Sequence, residues 1–348
     1  MGQHSQAPKK KKRILYFDML TIVACVCVIA MHCNNLVHAF EPTGAWNQAL
    51  AIEVLAYWAV PVFFMLTGAN NMGYRKKYDT KTFLLRRLRK LVIPFIFWSV
   101  FVYGLNCLLD PDVHLWFPDF WEGLLNSSIE ASYWFFPAII SLTLAMPVLS
   151  LLADHRSTCW YVVICAFVLT FLLPPVCELA NIPWSTGFLS LPVAGGYVAY
   201  ALLGYLLATG EVERKWRICI YILAVASLAL RYAFTLEASY AAGETVRTLF
   251  GYTNFIAVFP SVAIFLLFKY IKWPAFLENH STGVATISGC AFGIYLIHRL
   301  LIRGAMFHFG FIWQSVEMRL LCPIPIFLVA LVLVFIIKKI PVLKELVP

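Results

Sequence analysis

Hydrophobic positions in this chain fall into long unbroken blocks, with the polar positions gathered between them. An α-helix needs about twenty apolar residues to cross the roughly 30 Å hydrocarbon core of a bilayer. Blocks of that kind cover 14–37, 49–71, 88–109, 133–153, 158–179, 188–208, 217–236, 250–271, 285–306 and 318–337. The pattern predicts an all-α fold, a polytopic membrane helical bundle of about ten transmembrane helices. One spanning domain, 14–340, accounts for almost everything. A basic tail, 1–13, precedes it and a short tail, 341–348, follows. The apolar run after Lys9 to Arg13 is too long for a secretory signal and is read as a retained first helix.

Composition agrees with the pattern. The chain is 61% hydrophobic and 13% charged, a balance no soluble fold of 348 residues could bury. The net charge of +9 reports topology rather than a nucleic-acid partner, because the Lys and Arg cluster between apolar blocks. With ten alternating helices, the basic segments 1–13, 74–81, 211–217, 269–272 and 338–339 share one side. By the positive-inside rule that side is the cytoplasm, with both termini on it, in a multi-pass protein of the cell membrane. The longest loop on the other side, 110–132, carries Asp110, Asp112, Asp119, Glu122 and Glu130 without any Lys or Arg. Its Leu115, Trp116, Phe117, Phe120, Trp121, Leu124 and Leu125 suit a short helix lying in the outer interface. The ten cysteines form no CxxC pair and read as small buried hydrophobes, so no metal site is expected.

Ionisable residues inside spans mark functional sites or water-lined cavities. On the first span, Asp18 and His32 are fourteen positions apart, which places them on one helical face but about 21 Å apart along the axis. His32 has the chemistry of a proton-transfer group, and equally that of a structural residue hydrogen-bonded between helices. Glu53, near the outer end of the second span, reads as reaching the interface, and Pro61 after it as a point where the helix opens. Arg86, Arg87, Arg89 and Lys90 lead into the third span, with Arg86, Arg89 and Lys90 at i, i+3 and i+4 on one face. Such cations can hold nucleotide phosphates or simply anchor the helix among lipid headgroups. Tyr295, His298, Arg299 and Arg303 on the ninth span, and Arg231 on the seventh, reach the outer half at a depth like that of His32.

The ordered set of these segments resembles the integral-membrane acyltransferase 3 family, whose members acylate surface polysaccharides, lipid-linked glycans and peptidoglycan. The matching positions are Asp18 to His32, Pro61 to Gly68, the Arg86–Pro94 run, Tyr133-Trp134-Phe135-Phe136 with Pro147, Leu203-Gly204-Tyr205 and Gly293 to His298. The resemblance implies His32 as the catalytic residue, a cytoplasmic acyl-CoA donor, usually acetyl-CoA, and donor phosphates held by the basic residues at the third span; Asp18, on the same helical face as His32, is a second catalytic candidate, orienting the donor or the helix. No permanently bound cofactor is implied. The acceptor would be a glycan or lipid-linked saccharide, with Glu53, Arg231, Tyr295, His298, Arg299 and Arg303 as candidates on its side. Thr21 stands where many relatives carry an arginine, and Lys90 where they carry the second of two arginines.

Two expectations follow. Spans one, two, three and nine should enclose a cavity that His32 lines and the basic run opens. The rival reading is a transporter or flippase for a lipid-linked or small anionic solute, whose polar path would look similar.

Overall fold

Each of the ten apolar blocks carries helix in the computed structural model, which describes residues 14–112, 114–185 and 195–348. The tail 1–13 and the start of the sixth block lie outside the described residues. The first half of the chain forms α1 (Leu15–Cys33), α2 (Gly44–Ala56), α3 (Ala59–Asn71), α4 (Thr80–Leu109), α5 (Phe117–Leu125), α6 (Phe135–Leu149), α7 (Arg156–Ala166) and α8 (Leu173–Leu179). The second half forms α9 (Gly196–Thr209), α10 (Arg214–Ala242), α11 (Phe255–Tyr270), α12 (Ala275–Asn279), α13 (Ser281–Ser288), α14 (Ala291–Phe309) and α15 (Pro323–Lys339). Single π-helical segments, Phe167–Leu172 and Glu317–Leu321, join α7 to α8 and lead into α15.

Among the described residues, six helical segments are long and apolar enough to cross a membrane, or seven if the bent pair α13–α14 is one span. Helices α9 and α11 are apolar but shorter. The second block is broken: α2 ends at Ala56 and α3 begins at Ala59, four residues around the Pro61 carbonyl partner position. Proline lacks the N–H that would bond to residue 57, so the opening appears one turn before it. The acidic loop contains the expected short helix, α5, with Phe117, Trp121 and Leu125 exposed.

Helix α1 is the centre of the bundle, packed against α2, α3, α11, α13, α14 and α15. Its Phe17, Leu20, Ala24 and Val28 join one apolar core with α3, α6, α7, α9 and α11. Its Cys25, Ile29 and Cys33 join a second core with α4, α14 and α15. The space between these two cores is where the site lies.

Loops sort to two ends. At one end, Arg75 donates to Ser150 Oγ at 2.8 Å, Arg156 to Leu206 O at 2.7 Å, and Tyr270 to Glu211 at 2.7 Å. At the other, Thr245 donates to Val37 O at 3.2 Å, Arg319 to Gln48 at 2.9 Å and Arg303 to Asn106 at 2.9 Å. The first is called the basic end below. From this end the C-terminal segment folds back into the bundle: Trp98 Nε1 donates to Leu346 O at 2.9 Å and Val347 is fully buried.

The closest approach is between α3 and α9. A side chain at Gly68 would collide with the backbone of Ala201, and one at Gly204 with that of Met65. Small residues let membrane helices meet backbone to backbone. Gly204→Val is therefore expected to lower the melting temperature in detergent and the yield of folded protein. Gly104→Ala on α4, where nothing lies within 4 Å of the added carbon, should leave both unchanged.

Candidate active site

A cavity of about 720 Å³ runs between the two cores. On α1 its lining includes Thr21, Cys25, Val28 and His32, spaced i, i+4, i+7 and i+11, so a single face of the central helix follows it. From Thr21 to His32 the face advances about 16 Å at 1.5 Å per residue. Residues near the basic end, Asn71, Arg87, Lys90 and Ser288, close one part. Asn35, His38, Glu53, Arg247 and Arg299 line the far part. The enclosing helices include α1, α3, α4 and α14, those of the expected spans one, two, three and nine, together with α2, α6 and α13.

His32 and His298 meet in the far part. Nδ1 of His32 lies 2.6 Å from Nε2 of His298, and the rings are nearly parallel, 21° apart. His298 is fully buried, and its Nδ1 lies 2.6 Å from Tyr295 O. A carbonyl only accepts, so His298 Nδ1 carries the hydrogen, and in a neutral ring Nε2 is then the acceptor. His32 Nδ1 must donate to it. This assignment follows from the hydrogen-bond pattern. It leaves Nε2 of His32 with a bare lone pair, the form a general base requires.

The segment around Glu130 holds α14 in register for this contact. The Glu130 side chain is 2% exposed and receives Arg299 Nε at 3.1 Å and Arg303 Nη2 at 2.8 Å. Arg303 also donates to Asn106 on α4 at 2.9 Å. Tyr133 donates to Leu296 O at 3.1 Å, and Tyr295 to Ser132 O. Two cations thus meet one buried carboxylate, and five tethers in all fix the helix carrying His298. Arg299 lines the cavity, whereas Arg303 lies behind it.

Glu53 departs from its expectation. It is buried and lines the cavity rather than reaching the interface, because Trp46, Ala49, Leu50 and Glu53 form an i, i+3, i+4, i+7 stripe that α2 turns inward. Its Oε2 has no hydrogen-bond partner. Arg231 is 2% exposed and stands behind the wall, its guanidinium 3.7 Å from the Tyr57 ring and 4.5 Å from that of Phe250. It is not among the cavity-lining residues. Tyr57 stacks on Tyr252 at 4.3 Å, and Trp134 on Tyr252 at 5.5 Å, giving this part of the cavity an aromatic side.

The basic run is divided. Arg87 and Lys90, at i and i+3, line the cavity, and Leu91 follows on the same face. Arg86 instead lies over the Tyr78 ring at 5.1 Å, and Arg89 pairs with Glu345 at 3.6 Å. The expected face of Arg86, Arg89 and Lys90 is therefore corrected to one holding Arg87 and Lys90. The three cations do share helical spacing, but α4 turns the neighbouring face inward, the one that continues into Leu91. Asp18, one turn before Thr21, is not among the lining residues.

Glu130, Arg247 and the pairing of the two histidines were missed by the sequence reading. Glu130 counted only as one acid in an acidic loop. The nearness of His32 and His298 could have been suspected from their similar inferred depth, but not their bond.

The fold and site are those of a helical membrane protein with a histidine pair on an internal cavity that reaches Arg87 and Lys90. Residues 14–339, nearly the whole chain, match the acyltransferase domain of the acyltransferase 3 family, and the protein belongs to that family. It is a membrane acyltransferase. Neither the curated proteins nor the solved structures contain a match.

Removing one partner of a buried charge cluster strands the others, at a cost of order 3 kcal/mol, less where, as at Arg303, water screens the cation. Glu130→Ala should lower the melting temperature and diminish acyl transfer together. Glu130→Gln, which still accepts hydrogen bonds, should recover part of both.

Proposed function

We propose that the protein moves an acyl group, acetyl in the simplest case, from cytoplasmic acyl-CoA to a hydroxyl of a cell-surface or lipid-linked glycan. The observation that carries this reading is the bare Nε2 of His32 on a cavity that also reaches Arg87 and Lys90. The positive-inside rule assigns the basic end to the cytoplasm and both termini with it, in a ten-span protein of the cell membrane.

In the direct form of the reaction, His32 Nε2 takes the proton of the acceptor hydroxyl as its oxygen attacks the thioester carbonyl. The C–O bond forms, the C–S bond breaks, and the CoA sulfur leaves with the proton that the imidazolium returns. The hydrogen bond to His298 holds the His32 ring in the tautomer this needs and spreads the transient charge toward Tyr295 O. Arg87 and Lys90 hold donor phosphates by charge-assisted hydrogen bonds. Glu53, Arg299 and the Tyr57–Tyr252–Trp134 side form the acceptor half, where aromatic faces suit sugar rings and Glu53 Oε2 can accept a sugar hydroxyl. His298 and Tyr295 position these groups from the cavity wall, and Arg231 and Arg303 from behind it.

His32→Ala should abolish transfer of label from acetyl-CoA while the protein still folds and inserts; near-normal transfer would remove His32 from the chemistry. Arg87→Gln with Lys90→Gln should raise KM for acetyl-CoA about ten- to hundredfold, as expected for lost hydrogen bonds to charged groups. Arg86→Gln with Arg89→Gln should change it little. Equal effects from both pairs would return the run to a general anchoring role. Reporter fusions after Lys77 and Pro348 should lie in the cytoplasm and one after Asp112 outside; an outside C-terminus would overturn the ten-span arrangement.

A further inference from the structure

The stretch of cavity between the basic mouth and the histidine pair is lined largely by apolar side chains, Cys25, Val28, Leu91 and Ile139 among them. Three threonines on three different helices interrupt it: Thr21 on α1, Thr67 on α3 and Thr143 on α6. Each commits its hydroxyl hydrogen in the same way. Thr21 Oγ1 donates to Phe17 O at 2.8 Å, Thr67 Oγ1 to Phe63 O at 2.8 Å, and Thr143 Oγ1 to Ile139 O at 2.7 Å. A hydroxyl has one hydrogen and two acceptor lone pairs. With the hydrogen bound to its own helix, each threonine offers the cavity lone pairs alone. Such back-bonding is ordinary for threonine in a membrane helix. Nothing in packing requires three helices to turn it onto one passage.

Their levels can be placed. Phe135 lies 6.3 Å from Phe63 and 5.5 Å from Tyr295, ring to ring, so these three mark one level across the passage. At 1.5 Å per residue, Thr67 lies about 6 Å from that level toward the basic end, and Thr143 about 12 Å. Thr21, about 16 Å from His32 along α1, falls near the level of Thr143, since His298 is one turn beyond Tyr295. The threonines therefore stand in two tiers between Arg87–Lys90 and His32.

We propose that Thr21, Thr67 and Thr143 form a collar that accepts hydrogen bonds from the two amide N–H groups of the pantetheine arm, an inference that rests on the acyl-CoA reading above. With the donor's phosphates at Arg87 and Lys90 and its thioester at His32, the arm occupies the interval that the threonines line. Its only N–H donors are two amides in series, and an amide N–H drawn into an apolar passage without an acceptor is strongly disfavoured. Acceptor-only hydroxyls are the matching chemistry. Asn71, one turn from Thr67 along α3 and also on the cavity, adds a carboxamide for the arm's carbonyls.

The test measures binding to the full-length protein in lipid nanodiscs with two probes: acetyl-CoA, and adenosine 3′,5′-bisphosphate, which has phosphates but no arm. Thr21→Val, Thr67→Val and Thr143→Val keep the side-chain shape and remove the hydroxyl. Each variant that loses an amide contact should raise the acetyl-CoA Kd about three- to tenfold, the size of one neutral hydrogen bond, and the triple variant more than any single one. The bisphosphate Kd should not move. Thr286→Val, which removes an equivalent bond to Thr282 O outside the cavity, should change neither. An unchanged acetyl-CoA Kd in the triple variant overturns the collar, and so does equal weakening of both probes, which would mark structural damage. Failure of the unsubstituted protein to bind acetyl-CoA would remove the donor reading itself, and the collar with it.

Discussion

The hydrogen bond between His32 and His298 is the contact on which the geometry of the site depends. It joins positions 266 residues apart, on the central helix and on α14, and it holds only if both helices keep their axial position. A slip of one residue along either helix moves a side chain by 1.5 Å and rotates it by about 100°. The restraints are correspondingly dense. A side chain at Gly293 would press on Val334 and Val347, so α14 lies tight against α15 and the C-terminal segment. Glu130, Tyr133 and Tyr295 tie its other face to the segment before α6. Cys25 and Ile29 pack α1 into the same core as Ile294 and Ile297.

That core is interrupted by a polar passage, and the bilayer explains how it is arranged. Polar groups at membrane depth persist where protein or water surrounds them. Here the charged and imidazole groups of the cavity sit toward its two ends, and the middle is largely apolar except for threonines already bonded to their own helices. Arg231 and Arg319 show the alternative solution. Each is buried outside the cavity, Arg231 over aromatic faces and Arg319 against Gln48, Trp313 O and Gln314 O.

The helical class and the apolar blocks were legible because a membrane span is a property of composition over twenty residues, which sequence records directly. The break before Pro61 and the helix at 117–125 were legible for similarly local reasons. What depended on rotation was not. The choice between the Arg86 face and the Arg87 face turns on which side of α4 meets the bundle, and both faces carry cations. Glu53 was misplaced because burial of a carboxylate is decided by the stripe through Trp46 and by the distant segment around Phe250. The acidic loop gave no sign that Glu130 alone among its acids would turn inward to two arginines. The bond between the histidines needs the tertiary structure outright, since nothing local to either residue announces the other.

The two ends of the cavity differ in a way that bears on direction. Arg87 and Lys90 are exposed, so an anion can leave water gradually as it approaches them, keeping part of its hydration until the cations replace it. Glu53 is buried, with one oxygen unpartnered and Arg231 held behind an aromatic ring. Arg247 and Arg299 line the same part of the cavity. A neutral hydroxyl placed there gains a strong acceptor and needs no counter-charge. The mouth is thus cationic, while the far part holds one unpartnered carboxyl oxygen beside two arginines. His32 lines the cavity on the face of α1 that runs between these two ends, and in the proposed reaction the donor carbonyl and the acceptor hydroxyl would meet at its free nitrogen.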